Sequence, residues 1–488
     1  MKKLILLFCI PLIFSLYSCG NNKVKLNDNF MITINNQNIT ISNNETTYLK
    51  ELSIENGILV TADEKYTICL TYHDSNTSKN IVLSQAFLDA ILSPYSYIAV
   101  RIEDDYNNIL NAKIYLTPND LPQYETQGES VGGKDYYFTT YNSKYDGENE
   151  QINYLMKVSS TGKLLYYKKI AGELYDFQKV ITTDNKIRYI YMVSDRTLFN
   201  FNDFGVNSTL VYCKAVVLDE NYNLVQEIVF DYGNGQINGV EMHDILYFND
   251  NHYILCTNEA VILQGDEIPS YIAHEPDDNM YIVDCILQEV KNGEILWSFH
   301  SKDYEDMYAY YSTNIMDYQT YQDYMHFNSL CLSNDNNLLV SFRNISAIMK
   351  INRTNGERMW LLGGSGDDFG LNDSFGHQHE VTQLKNGNIL IYDNGKFGEV
   401  DTSRILEIKL DEENMLSEIV KSYNVDYFSY SMGSVQKLEE FADDVYVYCY
   451  GNPVPTQALF EEKNFSTGNI NFRLKLLTSR IMYNVNYC

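Results

Sequence analysis

Three segments of the chain open on a histidine and run into a turn and an apolar strand. His243-Asp244-Ile245-Leu246 leads to Asn251-His252-Tyr253-Ile254, His326-Phe327-Asn328-Ser329 to Asn336-Asn337-Leu338-Leu339, and His379-Glu380-Val381-Thr382 to Asn388-Ile389-Leu390-Ile391. Imidazole is the side chain suited to nucleophilic attack, to proton transfer near neutral pH and to metal ligation. If the segments are equivalent parts of a repeated β unit, a radial architecture brings the three rings to one axis and builds a site from distant sequence.

The repeat that must position them is visible outside the histidines. A turn residue followed by an apolar strand recurs at Gly162-Lys163-Leu164, Asn223-Leu224-Val225, Gly293-Glu294-Ile295, Gly356-Glu357-Arg358, Asn414-Met415-Leu416 and Gly468-Asn469-Ile470, at intervals of 61, 70, 63, 58 and 54 residues. That spacing exceeds the ~40–50 residues of the commonest propeller repeats and fits four-stranded blades with insertions. Residues 121–488 number 368, about 61 for each of six blades. The expected fold is all-β: a six-bladed β-propeller over 121–488, preceded by a β-sandwich over 31–120. Short alternating runs such as Met31-Ile32-Thr33-Ile34 and Tyr97-Ile98-Ala99-Val100 predict the sandwich. The cluster Pro118, Pro122, Gly128, Gly132 and Gly133 marks the boundary.

In a propeller the innermost strands surround a channel, and the residues where they begin face one mouth of it. His243, His326 and His379 therefore converge. Period-two alternation places Asn328 on the face of His326, and His377 on that of His379 if the strand already runs there; it turns Asp244 and Glu380 to the opposite face. Asp176 fills the equivalent place in an earlier blade. Arg343 ends the strand after the His326 turn and supplies a fork of donors suited to a tetrahedral oxyanion. His73, His252, His274 and His300 fall away from these positions and read as structural or surface residues. A zinc site on His377, His379, His243 and His326 is a competing reading, disfavoured by the outward turn of Asp244 and Glu380 and by the lack of a nearby thiolate. Gly363-Gly364-Ser365-Gly366 lacks the strand, Lys and helix of a phosphate loop and reads as a turn. Asp411-Glu412-Glu413 reads as a solvated hairpin turn.

Composition bounds the rest. The net charge of −29 becomes −31 once Lys2 and Lys3 are removed, which excludes nucleic acid as a partner and demands a local cationic pocket for any anionic substrate. Met1-Lys2-Lys3 and the apolar run Leu4 to Leu16 form an export signal over 1–18. Leu16-Tyr17-Ser18-Cys19 resembles a bacterial lipobox, which implies acylation of Cys19, a polar tether over 19–30 and a cell-envelope lipoprotein anchored to membrane, periplasmic or surface-facing. The seven cysteines beyond Cys19 are odd in number, without CxxC spacing, and read as buried free thiols.

The motifs together resemble the bacterial arylsulfate sulfotransferases, or arylsulfotransferases. The resemblance rests on His243-Asp244, on His326-Phe327-Asn328-Ser329 with Ser341-Phe342-Arg343, on Met359-Trp360-Leu361-Leu362-Gly363, and on Gln378-His379 with Asn386-Gly387-Asn388 and Asp393-Asn394-Gly395. It runs on through Ser403-Arg404-Ile405-Leu406-Glu407 and Asp411-Glu412-Glu413-Asn414. It implies a propeller with an N-terminal β domain that moves a sulfuryl group from an aryl sulfate to a phenol, with neither nucleotide donor nor other cofactor. His379 matches the nucleophile sulfated in a ping-pong cycle. His243, His326, Asn328 and Arg343 match the sulfate-binding and acid/base positions. A disulfide found in some members after the Trp-Leu-Leu-Gly block has no cysteines here. Pairing of two chains through the sandwich, as a homodimer, is compatible with the sequence. The rivals are a ligand-binding propeller without catalysis and a metal-dependent hydrolase or lyase.

Overall fold

The computed structural model describes strands between residues 29 and 117, and residues 121–488 apart from 142–151, 195–210, 273, 311–321, 396–401, 442–443, 455 and 478–480. The expected signal segment, Cys19 and His73 lie outside the described residues. The chain divides into two units, Met1–Asp120 and Leu121–Cys488.

The first unit holds two sheets. One orders four antiparallel strands as Gln37–Ser42, Asn29–Ile34, Ile58–Thr61 and Ile81–Leu83; the other has five, with Thr46–Lys50 running parallel to Ile109–Thr117 at one edge. Ile41, Ile102, Leu110 and Ala112 are its described buried residues.

The second unit is a six-bladed propeller. Blade 2 is Leu174–Ile181, Ile187–Ser194, Tyr212–Leu218 and Leu224–Ile228, ordered from the inside outward; blade 3 runs from Leu246–Asn249 to Glu294–His300, blade 4 from Phe327–Leu332 to Arg358–Leu362, and blade 5 from His379–Gln383 to Leu416–Asn424. Blade 6 begins at Ser434–Lys437 and takes Tyr124–Gly128 as a fifth, outermost strand. Blade 1 closes the ring: its innermost strand is the last of the chain, Ile481–Tyr487, hydrogen-bonded to Tyr136–Tyr141.

Sequence and blade geometry agree strand by strand. Second strands such as Leu338–Phe342, Ile389–Asp393 and Val445–Cys449 are buried at every residue, because neighbouring blades cover both faces. The outermost strand Leu416–Asn424 instead alternates between exposed and half-buried positions. The recurring turn-plus-strand signal is the hairpin into the outermost strand of blades 1 to 5 and into the fourth strand of blade 6. Gly162, Gly293, Gly356 and Gly468 adopt φ of +77° to +79° there, and in the two hairpins marked by Asn223 and Asn414 the left-handed residues are the neighbours Tyr222 and Met415.

The core is distributed between blades. Ile254, Leu287, Phe327 and Leu338 join blades 3 and 4; Leu339, Ile348, Val381 and Ile391 join blades 4 and 5. Tyr136 seals the last junction, its ring centroid 4.8 Å from that of Phe460 and 4.9 Å from that of Phe472. The acidic turn at Asp411-Glu412-Glu413 does more than meet solvent. Glu412 accepts hydrogen bonds from buried Lys350 at 2.8 Å and from the Trp360 indole at 3.1 Å, clasping blade 5 to blade 4. The sequence expectation missed this contact because its partners lie more than 50 residues away.

Candidate active site

His243 and His326 stand just before the first strands of blades 3 and 4, and His379 begins that of blade 5. Their convergence follows from this common placement. The His243 ring centroid is 5.1 Å from that of His326 and 5.6 Å from that of His379. His243 and His379 are buried, and Tyr483 on the closing strand packs against both rings at 5.7 and 5.6 Å.

Two of the three imidazoles are clamped by carboxylates. Glu241 holds the Nδ1 of His243 at 2.6 Å and accepts the His243 backbone N–H at 2.8 Å. Asp323 does the same for His326, at 2.5 Å to Nδ1 and 3.1 Å to the backbone nitrogen. Each clamp fixes the ring and leaves Nε2 as the nitrogen for chemistry. His379 has no such partner: neither of its ring nitrogens completes a hydrogen bond within the described protein. Its place is fixed through the preceding residue instead. The Gln378 side-chain amide donates to Ser341 Oγ, Phe342 O and Ala347 O at 2.9, 3.1 and 3.0 Å, and the Gln378 carbonyl accepts from Asn328 Nδ2 at 2.6 Å.

The electrostatics follow from burial. Desolvation holds both His379 and His243 well below the ordinary imidazole value, reinforced by mutual repulsion among the histidines and by the Arg343 guanidinium. The backbone at Gly433 pulls His379 the other way, a smaller effect than burial. Glu241, equally buried, is pushed up to about 8 by desolvation. Arg343 is half-buried; its Nη1 donates to Asn344 Oδ1 at 2.8 Å, and its backbone N–H to the His326 carbonyl at 2.9 Å.

A channel cavity of about 190 Å³ receives side chains from all six blades, among them His243, Asn328, His379, Gln436, Asp176 and Asn484. Asp244 and Glu380 also line it, which corrects the expectation that they turn away. Strict alternation fails because Asp244 precedes its strand, Leu246–Asn249, and because the inner strands of blades 2, 4 and 5 are bulged where they begin. Glu380 has φ +55° and the pairing register shifts between His379 and Val381; the register shifts likewise between Phe327 and Ser329, and around Asp176 at φ +41°. His377, at φ +50°, precedes the strand, so the condition for its sharing a side with His379 is not met. Asp176 groups with the carboxylates rather than with the histidines: burial raises its pKa to about 6, and its charge raises those of Asp244 and Glu380. Hydrogen bonds from Gln178, Asn484 and Asn486 satisfy it.

The remaining sequence candidates fall outside this site. His252 pairs with Glu289, His274 with the Ile272 carbonyl and His300 with Asp284. Gly363 and Gly364 form a turn after blade 4, where a Cβ on Gly364 would meet the Ile345 carbonyl at 2.2 Å. The described cysteines Cys213, Cys256, Cys285, Cys331, Cys449 and Cys488 are free. Among the described residues no cluster of three His, Cys, Asp or Glu is arranged to hold a metal. Sequence reasoning passed over Glu241, Asp323 and Tyr483. An acidic residue two or three places before His243 and His326, and none before His379, was the readable signal for the clamps.

Comparison with known proteins bears on the same region. The family model described as Arylsulfotransferase (ASST) matches residues 234–487. No curated protein matches. Similar solved structures include a protein of unknown function from Bacteroides caccae, at 11% identity over 72% of this chain and 98% of that one with a TM-score of 0.41. Another is virginiamycin B lyase from Staphylococcus aureus, at 9% identity over 73% and 99% with a TM-score of 0.32. At such scores these likenesses say nothing about chemistry.

Proposed function

The chain belongs to the arylsulfotransferase family, and from that premise we propose that it moves a sulfuryl group from an aryl sulfate to a phenol by a ping-pong cycle through a sulfohistidine on His379. The observation that carries the proposal is the inequality of the three imidazoles: two are clamped at Nδ1 by carboxylates, while the third is buried with no side-chain partner on either nitrogen.

In the first half-reaction the lone pair of neutral His379 attacks sulfur, the S–O bond to the aryl group breaks, and the phenoxide leaves with the electron pair. In the second, the acceptor phenol oxygen attacks the same sulfur and the N–S bond breaks. Sulfuryl transfer resembles phosphoryl transfer in needing in-line positioning and charge stabilisation at the equatorial oxygens more than covalent help from the protein. Arg343, His326 and Asn328 take that role as sulfate-binding groups. Arg343 answers the requirement for a local cation on an acidic protein, and its charge also disfavours protonation of the nucleophile. His243 or His326 protonates the departing phenoxide and takes the proton of the acceptor, a contribution worth about 10²–10⁴-fold. The scheme requires no cofactor.

The proposal places the enzyme outside the cytoplasm, lipid-anchored at Cys19, with small aryl sulfates and phenols as substrates. Membrane fractionation of wild type and Cys19→Ala tests the anchor, and retention of the variant in the membrane fraction refutes it. The chemistry is tested by assay with an aryl sulfate donor and a phenol acceptor: His379→Ala abolishes transfer, and unchanged activity removes the nucleophile.

A further inference from the structure

We propose that Glu241 is the proton store of the transferase: His243 passes a proton between Glu241 and the oxygen of the departing or arriving phenol without itself becoming charged. The inference rests on the transfer reaction proposed above.

The geometry is that of a relay. Glu241 is 1% exposed, and its two carboxyl oxygens are both committed to His243, one to the ring Nδ1 at 2.6 Å and the other to the backbone N–H at 2.8 Å. No lysine or arginine hydrogen-bonds to it among the described residues. His243 is 5% exposed, and its ring meets His326, His379 and Tyr483. An ion pair of carboxylate and imidazolium is expensive in such a place, and the neutral pair of carboxylic acid and imidazole is favoured.

The neighbours act in both directions. Asp323, on the segment before blade 4, raises the affinity of Glu241 for its proton and His326 lowers it, with burial the largest effect. Tyr212 and Cys213, on the strand that pairs with Val240–Glu241, and Tyr483 on the closing strand feel the Glu241 charge, as do Asp244, Cys256 and Cys285. On His243, Arg343 and His326 oppose protonation while Asp323 favours it. Burial dominates in each case, pushing Glu241 up to about 8 and His243 well below its usual value. Near neutral pH the proton of the pair therefore sits on the carboxyl oxygen, and the imidazole carries its own proton on Nε2.

The proton balance closes on this arrangement. As the S–O bond of the donor breaks, Nε2–H goes to the phenoxide oxygen and the Glu241 proton goes to Nδ1, leaving a carboxylate and a neutral imidazole of the opposite tautomer. When the acceptor phenol attacks, its proton moves to Nε2 and the Nδ1 proton returns to Glu241. A carboxyl group near 8 is a stronger acid than an unsubstituted phenol at about 10, so donation runs downhill and recovery is unfavourable by only about a hundred-fold. Asp323 clamps His326 in the same bidentate manner but on a half-buried segment.

The test compares leaving groups in Glu241→Gln. A nitro-substituted phenoxide leaves without a proton, whereas phenoxide itself needs one. Single-turnover sulfation of the protein should fall at least ten-fold further with phenyl sulfate than with 4-nitrophenyl sulfate. The wild-type rate with phenyl sulfate should decline as pH rises through about 8, and that limb should vanish in the variant. Equal losses with both donors, or no loss, overturn the relay while leaving sulfation of His379 intact; absence of sulfation in the wild type overturns the underlying reading instead. Should Glu241→Gln fail to fold, the wild type in mixtures of H₂O and D₂O decides. A curved dependence of the phenyl sulfate rate on deuterium fraction reports two protons in motion, and a linear one contradicts the relay.

Discussion

His379 lies against His243 with 5.6 Å between ring centroids, and of the two only His243 is held by a carboxylate. Equivalent blade positions thus yield two different imidazoles, one fixed at Nδ1 by a carboxylate and one without a carboxylate partner, which suits them to the proposed roles of proton carrier and nucleophile. The difference comes from what precedes each ring, Glu241 in one segment and Gly376-His377-Gln378 in the other.

In the proposed cycle, the depressed proton affinity of His379 sets the acid limb of the first half-reaction. The ring stays neutral as pH falls through the usual imidazole value of 6.5, so single-turnover sulfation by a nitrophenyl donor should hold its rate there and decline only at lower pH. A midpoint at 6.5 or above contradicts this. Stability moves with the same sign. The unfolded chain takes up protons below 6.5 that buried His379 and His243 refuse, so unfolding becomes easier as pH falls below that value.

Glu380 predicts the opposite slope. Burial and the charges of Asp244 and Asp176 raise its pKa well above the ordinary 4.5, so the folded state keeps a proton that the unfolded state releases. Stability from this group is full below 4.5 and is lost as pH rises toward the folded value. Glu380→Gln should therefore gain stability relative to wild type at pH 8 compared with pH 5, read from urea unfolding at both. An equal effect at the two pH values contradicts a protonated Glu380.

Tyr483 is wholly buried and touches both His243 and His379, so its ring should matter more than its hydroxyl, whose contact with the His243 carbonyl is a long 3.5 Å. Tyr483→Phe is expected to cost less than about 1.5 kcal/mol and to keep most activity; Tyr483→Ala should cost about 3–5 kcal/mol and lower kcat through loosened imidazoles. Thermal unfolding with steady-state kinetics separates them, and equal effects of the two substitutions contradict the packing role.

Closure by the last strand has its own consequence. Removing residues after Leu477 takes the innermost strand from blade 1 and leaves the edge of Tyr136–Tyr141 unpaired. The truncated chain should lose its cooperative thermal transition and become sensitive to proteolysis, whereas a chain that still melts at the wild-type temperature contradicts the closure.

Much of this was legible in residue order. The hairpin signal from Gly162 to Gly468 counts the blades because each turn needs a left-handed residue before an outer strand. The histidines mark blade starts because the beginnings of the inner strands lie at the channel, where His243 and His379 line the cavity. What period-two reasoning lost were the bulges: a single left-handed residue at Glu380 returns two consecutive side chains to one side, and nothing in Glu380 itself announces it. Contacts across blades, such as Glu412 with Lys350 or Tyr483 with His379, depend on how strands distant in sequence are brought together, which local pattern does not carry.

The most direct test of the central claim is the mass of the protein after exposure to an aryl sulfate without acceptor, under conditions that preserve acid-labile N–S bonds. The account predicts a gain of one SO₃ unit, mapped to His379, absent in His379→Ala and discharged on adding a phenol. An unmodified protein that nonetheless turns over donor and acceptor together, or sulfation mapped to another residue, contradicts it.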